Sequence, residues 1–304
     1  MMKKSIMQFL FGRADKKDKI YEESEGISKE YYENGQVKSE RNYQDDKLEG
    51  IVREYYGNGQ LQAELNYKDG KLAGICKVYS KDGQLLSEGN YKDGKQEGVV
   101  REYYGNGQLK SEVNYKDGKK EGIVKEYYRN GKLQTEGNFK DDNPLSEIVY
   151  AYYTNGPLQS EGNYNYEDGK KEGILKVYYE NGQLRAEGNY RDGERDGICK
   201  YYYENGQLKM VGNFNDDKPD GINKLYNEKG QLEKEVTYKD GKQEGIIREY
   251  YGNGQLKSEV NYKDGKKEGI VKEYYTNGQL LSEGYFENDE PLEQIYYNEK
   301  GNKI

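Results

Sequence analysis

The stretch GVVREYYGNGQLKSEVNYKDGKKE, from Gly98 to Glu121, recurs with small changes from Gly26 to the end of the chain. Its period is 24 residues, and the glycine that opens each copy returns at Gly26, Gly50, Gly74, Gly98, Gly122, Gly173, Gly197, Gly221, Gly245 and Gly269. Self-similarity at such a period is typical of repeat arrays, whose units are too small to fold alone and are stabilised by their neighbours. The pattern therefore favours a binding or scaffolding role over catalysis.

Composition argues against an ordinary globular core, and the placement of the tyrosines argues against disorder. The 304 residues are 33% hydrophobic and 34% charged, whereas globular domains have about 45–50% and about 25%. Low hydrophobicity with high charge can indicate disorder, but the 35 tyrosines recur at fixed places in the repeat. Regularly placed aromatic residues predict a folded, thin and elongated array.

Charge and residue types narrow the possible functions. The net charge of −8 disfavours nucleic acids and anionic membranes as partners. The chain has no histidine, so the usual general base and the commonest metal ligand are missing. Cys76 and Cys199 occupy a slot that holds valine or isoleucine in other copies, which predicts small apolar fillers and no disulfide framework. We expect no catalytic residues, no cofactor and no metal site.

Two turn signals in each unit predict β-hairpins. One is Asn-Gly, as at Asn58-Gly59, and the other is Asp-Gly, as at Asp69-Gly70. Both dipeptides tolerate positive φ and are the strongest short-range signals of a hairpin. The segments between them are rich in Tyr, Val and Ile, which favour strands. The predicted fold is all-β, an elongated antiparallel β-hairpin repeat array with about two strands per unit.

Alternation along the second strand of the unit predicts a buried side that carries Leu109, Ser111, Val113 and Tyr115. In the first strand one tyrosine slot is filled in every copy, and the slot after it varies between tyrosine, serine and asparagine. The unvarying slot is predicted to be packed, and the variable slot to be partly exposed.

The register at the Asn-Gly turn has two solutions. A two-residue loop would pair Tyr56 with Leu61, and a three-residue loop with a glycine bulge would pair Tyr55 with Leu61. The second is favoured, because it would place the unvarying tyrosine on the buried leucine side.

Residues 26–304 are predicted to form one continuous array of about 11–12 hairpin repeats. An irregular stretch is expected at 140–168, where the spacing stretches and Pro144 and Pro157 occur, because proline cannot donate in a central strand. Residues 1–25 are interpreted as a leader or capping segment, with a degenerate export signal as the alternative. We therefore expect a cytoplasmic protein, or an exported one if that signal is active.

The repeat YYENGQLKSEGNYKDGKKEG, present in pieces at Tyr178 to Gly188 and Asn114 to Gly122, resembles the MORN repeat in its bacterial variant, found in the YwqK-type antitoxin family. The resemblance covers about residues 26–304. It implies a run of β-hairpins in a single twisted sheet, and a role in contact with proteins, membranes or lipids. It also implies an antitoxin function, because many bacterial proteins of this kind carry that label.

Two sets of side chains are candidates for a binding surface. Rows of Glu and of Lys or Arg are expected to pair across strands on a wet face, or to form a zwitterionic docking surface. The variable tyrosines are the better candidate, because exposed tyrosines are enriched at interfaces; packing along the sheet is the alternative. These candidate partner-binding residues are Tyr32, Tyr56, Tyr104, Tyr128, Tyr153, Tyr179, Tyr203, Tyr251 and Tyr275.

The sequence thus predicts a non-enzymatic repeat protein that binds another protein, in its most concrete form a toxin, through an extended face. The alternative is a membrane- or envelope-associated module that binds lipid headgroups or glycans through tyrosine clusters. Oligomeric state is left open.

Overall fold

The computed structural model describes residues 26–167 and 170–304, and every regular element in these ranges is a β-strand. The predicted leader or capping segment, residues 1–25, lies outside the described residues. The chain divides into two compact units, Met1–Glu147 and Ile148–Ile304, and the division falls inside the stretch 140–168. Within each unit the long strands pair antiparallel with their neighbours in chain order. The prediction of an all-β array of antiparallel hairpins is confirmed.

The strands of the first unit are β1 (Gly26–Tyr31), β2 (Val37–Gln44), β3 (Lys47–Leu48), β4 (Gly50–Tyr55), β5 (Leu61–Lys68), β6 (Lys71–Leu72), β7 (Gly74–Tyr79), β8 (Leu85–Lys92), β9 (Lys95–Tyr103), β10 (Leu109–Lys116), β11 (Lys119–Tyr127) and β12 (Leu133–Lys140). Strand β13 (Asn143–Tyr152) contains the division. The strands of the second unit are β14 (Leu158–Glu167), β15 (Lys170–Tyr178), β16 (Leu184–Arg191), β17 (Glu194–Tyr202), β18 (Leu208–Asn215), β19 (Lys218–Pro219), β20 (Gly221–Tyr226), β21 (Leu232–Lys239), β22 (Lys242–Gln243), β23 (Gly245–Tyr250), β24 (Leu256–Lys263), β25 (Lys266–Tyr274), β26 (Leu280–Glu287) and β27 (Glu290–Tyr296).

The Asn-Gly turn has the three-residue loop that the sequence analysis favours. The amide of Tyr56 donates to the Gln60 carbonyl at 2.8 Å, and the amide of Gly59 donates to the Tyr56 carbonyl at 2.8 Å. Gly59 has a φ of 83°, in the left-handed region that a glycine bulge requires. Tyr55 is then the partner of Leu61 across the hairpin, so the predicted register is confirmed.

A second bulge follows the turn and changes the faces of the hairpin. Tyr55 pairs with Leu61 but Glu54 pairs with Ala63, so Gln62 is an extra residue in β5. A β-bulge of this kind places the extra residue and its neighbour on the same side of the sheet. Gln62 and Ala63 therefore share one side, and Leu61 turns to the other side together with Tyr55.

The prediction that the unvarying tyrosine is packed on the buried face is wrong for this reason. We call the side that carries Val52, Ala63 and Leu65 the inner face, and the opposite side the outer face. Tyr55 lies on the outer face and is half-buried, and its hydroxyl donates to Glu40 Oε2 at 3.1 Å. The equivalent Tyr31 is 57% exposed.

The inner face holds the hydrophobic core of the repeats. Val52, Ala63, Leu65, Cys76 and Val78 are between 0% and 6% exposed in the first unit, and they form one cluster with Leu72 and Tyr91. The alternation predicted for the second strand of the repeat is confirmed at Val113, which is buried and pairs with the buried Val100 and Val124. It is wrong at Leu109, which pairs with Tyr103 beyond the bulge and lies with it on the outer face. The core is therefore built from the inner-face residues, which alternate along each strand with residues of the outer face.

Backbone conformation requires the glycine that opens the 24-residue repeat in every copy except the one that begins at Gly173. Gly74 has a φ of 75°, and a Cβ there would lie 2.9 Å from the side-chain amide of Asn66. A side chain at this position would be strained by the left-handed backbone and would also displace the neighbouring asparagine. The 24-residue spacing of these glycines thus reflects one irregular backbone position that recurs along the array.

The Asp-Gly turns stack from one unit to the next. The amide of Gly70 donates to the Leu48 carbonyl of the preceding unit at 2.9 Å. Where aspartate replaces the glycine, as at Asp217, its amide makes the same bond to the Arg195 carbonyl at 3.1 Å. Its carboxylate also accepts from the Arg195 backbone amide at 3.0 Å, so the strained Asp217 gains a contact that glycine lacks.

Both cysteines are buried and unbonded to each other, Cys76 at 0% and Cys199 at 2% exposure. Glycines lie opposite them, because Cys76 pairs with Gly89 and Cys199 with Gly188 and Gly212. Burial raises the pKa of both thiols. The cysteines serve as the small apolar fillers that the sequence predicts.

Close packing against these glycines gives a testable prediction. A Cβ added at Gly188 would lie 2.5 Å from Cys199 Sγ, and overpacking a tight core costs about 1–3 kcal/mol. Gly188→Ala should therefore lower the free energy of unfolding by that amount in chemical denaturation. Gly252→Ala is the matched control in the same unit, because a Cβ there would meet no atom within 4 Å. Equal stability of the two variants would contradict this packing.

Candidate interaction face

The variable tyrosines connect each repeat to the next. Tyr56 lies half-buried at the start of its Asn-Gly turn, and its hydroxyl donates to the Tyr79 carbonyl at 2.9 Å. Bonds of this type span 2.7–2.9 Å from Tyr32, Tyr56, Tyr104, Tyr153, Tyr179, Tyr203, Tyr251 and Tyr275. In every case the acceptor is the carbonyl of the unvarying tyrosine in the following repeat.

The residues that replace tyrosine in this slot are explained by the turn. Ser80 Oγ accepts from the amides of Asp82 and Gln84 at 3.3 and 3.1 Å. Asn227 Oδ1 accepts from the amides of Lys229 and Gln231 at 3.0 Å. In these repeats the usual turn asparagine is absent, so the variable slot supplies the acceptor that the turn asparagine provides elsewhere. Variation in this slot follows turn chemistry.

These contacts bear directly on the predicted binding site. The nine tyrosines are half-buried, and each of those with a bond given above uses its hydroxyl inside the protein. Cationic side chains cover some of the rings: Lys209 Nζ lies 5.4 Å from the Tyr203 ring and the Arg185 guanidinium 5.9 Å from the Tyr179 ring. Contact of this row with a partner stays a prediction, and the structure gives the row a role in joining repeats.

The outer face presents a different set of side chains in three parallel rows. The first strand of a 24-residue repeat contributes Ile51, Arg53 and Tyr55, and the second strand contributes Asn66, Glu64 and Leu61 opposite them. Successive 24-residue repeats have the same arrangement. An aliphatic row, a charged row and a tyrosine–leucine row therefore run across the strands.

The aliphatic row consists of the residue that follows each repeat glycine, and it is exposed. Exposed fractions lie between 41% and 67%, whereas the next residue along each strand, such as Val52, is buried. The members of this row are Ile27, Ile51, Ile75, Val99 and Ile123 in the first unit and Ile174, Ile198, Ile222, Ile246 and Ile270 in the second. Single exposed aliphatic residues are ordinary, but contiguous exposed patches mark interaction sites.

The charged row is paired within the protein, as one of the two sequence interpretations expects. Arg53 Nε contacts Glu64 Oε2 at 3.0 Å, and Arg101 Nε contacts Glu112 Oε2 at 2.7 Å. The side chains are a third or more exposed, so each pair contributes at most about 1 kcal/mol. The row therefore alternates in sign from strand to strand and has little net charge.

The unvarying tyrosines brace the charged row from the side. Tyr55 donates to Glu40 of the preceding repeat, and Tyr250 donates to Glu235 at 3.1 Å in the same way. Hydrogen bonds from Lys29 and Lys224 lower the pKa of Glu40 and Glu235, respectively. These carboxylates are held ionised and in fixed positions by neighbours on both sides.

A cleft of about 350 Å³ opens on the outer face between two members of the aliphatic row. Ile27 and Ile51 form its walls, Asn42 lies between them, and Lys29, Glu40 and Arg53 line the side next to the charged row. The cleft can receive an apolar side chain of another molecule. Within the described ranges, no group of three or more Asp, Glu or Cys side chains could hold a metal ion.

These features define a β-hairpin repeat protein with one structural and one exposed face. The profile of the MORN repeat variant family matches residues 24–45, 48–69, 72–93, 96–117, 120–141, 171–192, 195–216, 219–240, 243–264 and 267–288. These matches cover more than half of the chain, so it belongs to the MORN repeat variant family. No curated protein matches it.

The chain has a distant likeness to two solved toxin structures. The chain is 14% identical to a chain of the Tc holotoxin pore of Photorhabdus luminescens, with a TM-score of 0.20 over 87% of this chain and 17% of that one. A TcdB2–TccC3 crystal structure gives 14% identity and a TM-score of 0.19 over 90% of this chain and 20% of that one. The chain thus spans a fifth or less of the length of these structures. No helix among the described residues is long and apolar enough to cross a membrane.

The sequence reasoning missed the aliphatic row, although a signal was present. Most repeat glycines are followed by two apolar residues, as in Gly50-Ile51-Val52, and strict alternation puts only one of them on the inner face. The predicted pairing of Tyr55 with Leu61, without a further bulge, would place Ile51 opposite the buried Leu65. Only the extra residue Gln62 turns Ile51 to the outer face.

The repeat-to-repeat hydrogen bond predicts a measurable loss in one variant. Tyr56→Phe removes the bond to the Tyr79 carbonyl and should lower the free energy of unfolding by about 0.5–1.5 kcal/mol. Tyr31→Phe is the control, since Tyr31 is 57% exposed and should change stability by less than about 0.5 kcal/mol. Chemical denaturation would measure both, and a larger loss at Tyr31 than at Tyr56 would contradict the assignment.

The half-buried Tyr67 predicts a loss of stability at alkaline pH. Burial, reinforced by the charge of Glu54, raises the pKa of Tyr67 to about 12 from an ordinary 10.0. Between these pKa values the unfolded chain loses the tyrosine proton while the folded chain keeps it. The contribution of Tyr67 to the free energy of unfolding is therefore fully present below pH 10 and is lost as pH rises toward 12. The denaturation midpoint should drop over this interval, and Tyr67→Phe should make the drop shallower. An unchanged slope in that variant would be inconsistent with a neutral, half-buried Tyr67.

Proposed function

We propose that this MORN repeat protein binds another protein through its outer face and performs no catalysis. The observation that supports the proposal is the exposed aliphatic row, with members between 41% and 67% exposed. Exposed aliphatic residues at one position of the 24-residue repeat lower the solubility of the protein and contribute nothing to the inner core. A binding surface gives them a use.

The charged and tyrosine–leucine rows suit the same role. Paired charges beside an apolar strip form the polar rim that protein interfaces show around their apolar centre. The tyrosines bring aromatic area that is already held in place by hydrogen bonds such as that of Tyr55 to Glu40. A surface of this kind is preorganised, so binding would order few side chains.

An antitoxin or immunity function is the most concrete form of the proposal. The chain would neutralise a toxin in the cytoplasm by direct contact, covering a surface that the toxin needs. The resemblance to the YwqK-type antitoxin family suggests this role, and the absence of histidine from the chain fits inhibition by occupancy.

Affinity capture with matched baits would test the proposal. Wild-type protein should retain a partner that is lost when four row residues are changed together: Ile51→Thr, Ile75→Thr, Ile198→Thr and Ile222→Thr. Threonine keeps the β-branched shape, so the fold should persist, as circular dichroism would check. The antitoxin form predicts in addition that the captured protein arrests growth and that wild-type chain, but not the variant, relieves the arrest.

Equal capture by both baits would contradict a role for the aliphatic row. Pelleting with anionic vesicles distinguishes the lipid alternative: a chain with a net charge of −8 should stay in the supernatant. Binding to vesicles together with no retained protein would overturn the proposal.

A further inference from the structure

We propose that the outer face of the first unit also packs against the same face of a second copy, giving a face-to-face dimer. The inference uses the surface on which the proposed function rests but concerns the purified chain alone. It follows from the fact that this face complements itself in both shape and charge.

The shape argument begins with the spacing of the aliphatic row. Neighbouring strands lie about 4.8 Å apart, so successive row members stand about 9.6 Å apart, with an asparagine between them. Ile27 and Ile51 flank Asn42 in this way, and the cleft of about 350 Å³ lies between them. The row is thus a series of apolar projections that alternate with spaces able to receive a projection of the same kind.

The charge argument leads to the same alignment. On the strands that carry isoleucine the charged row is Lys or Arg, and on the strands that carry asparagine it is Glu, as in Arg53 beside Glu64 and Lys125 beside Glu136. A two-fold axis can run parallel to the strands, midway between two neighbouring strands. This axis places each isoleucine-bearing strand of one copy opposite an asparagine-bearing strand of the other copy. Isoleucine then faces the space above asparagine, and Arg or Lys faces Glu.

Both requirements are met by one operation, which forms a closed, isologous interface. Packed sheets keep their strand directions within about 30° of each other at a separation of about 10 Å, and their side chains interdigitate. The five aliphatic residues are between 41% and 67% exposed, and the flanking rows extend the contact toward the ~800 Å² per partner of a stable interface. A second copy is therefore the occupant that this face fits.

Sedimentation velocity of the full chain over a wide concentration range would test the dimer. Wild-type protein should shift from monomer to dimer as concentration rises. The triple variant Ile51→Thr, Ile75→Thr, Val99→Thr should weaken dimerisation about tenfold or more, because it removes apolar area from the centre of the contact. The control Glu33→Thr, Lys81→Thr, Arg129→Thr changes exposed turn residues of the same unit and should dimerise like wild type.

Two results would overturn the inference. A wild-type chain that remains monomeric at the highest concentration excludes the dimer. A dimer that the triple aliphatic variant forms as readily as wild type lies on another surface. Neither result bears on partner capture, because the purified chain contains no other protein, so failure of the dimer and failure of the proposed function are distinguishable.

Discussion

Each repeat of this protein depends on hydrogen bonds that it makes with the repeats on either side. A 24-residue hairpin buries too little apolar surface to offset the cost of ordering it, so neighbours must supply the difference. The paired tyrosines provide that connection in two directions. Tyr55 reaches back to Glu40 of the preceding repeat, and Tyr56 reaches forward to the carbonyl of Tyr79. The Asp-Gly turns add a third contact, as between Gly70 and Leu48.

This arrangement divides the two faces of the sheet by function. Small and branched residues such as Val52, Ala63 and Cys76 fill the inner face, and glycines opposite the cysteines allow close approach. The outer face carries Ile51, Arg53 and Tyr55, which contribute little to the core. Its side chains are ordered by pairing across strands, so the protein presents a stable pattern of apolar and charged rows to its surroundings.

Much of this fold could be predicted from the sequence because its signals are local. Asn-Gly and Asp-Gly specify their own turns, and alternation within β10 identifies Val113 as buried. The register at Tyr55 and Leu61 was also predicted, although turn geometry allowed two solutions and the choice assumed a buried side on which neither residue lies. What failed was the face of Tyr55, since it depends on the bulge at Gln62, and nothing in a Gln or Lys at that position marks an extra residue.

The candidate site was harder to predict than the fold. Variation at the slot of Tyr56 suggested a binding role, but the structure relates it to the turn: Ser80 and Asn227 accept the bonds that a turn asparagine accepts elsewhere. A residue that varies to compensate for a missing turn asparagine in its own repeat looks, from the sequence alone, like a residue that varies for binding. Ile51 gave the opposite impression, because a repeated aliphatic residue in a strand is usually buried.

We propose that the outer face, and not the row of variable tyrosines, is the surface that meets other proteins. Hydroxyl-radical footprinting of the chain with and without a captured partner tests it most directly, because labelling reports the exposure of individual side chains. Labelling should fall at Ile51, Ile75 and their counterparts in the aliphatic row and should be unchanged at Tyr56 and Tyr104. Protection of those tyrosines with full labelling of the aliphatic row would contradict it.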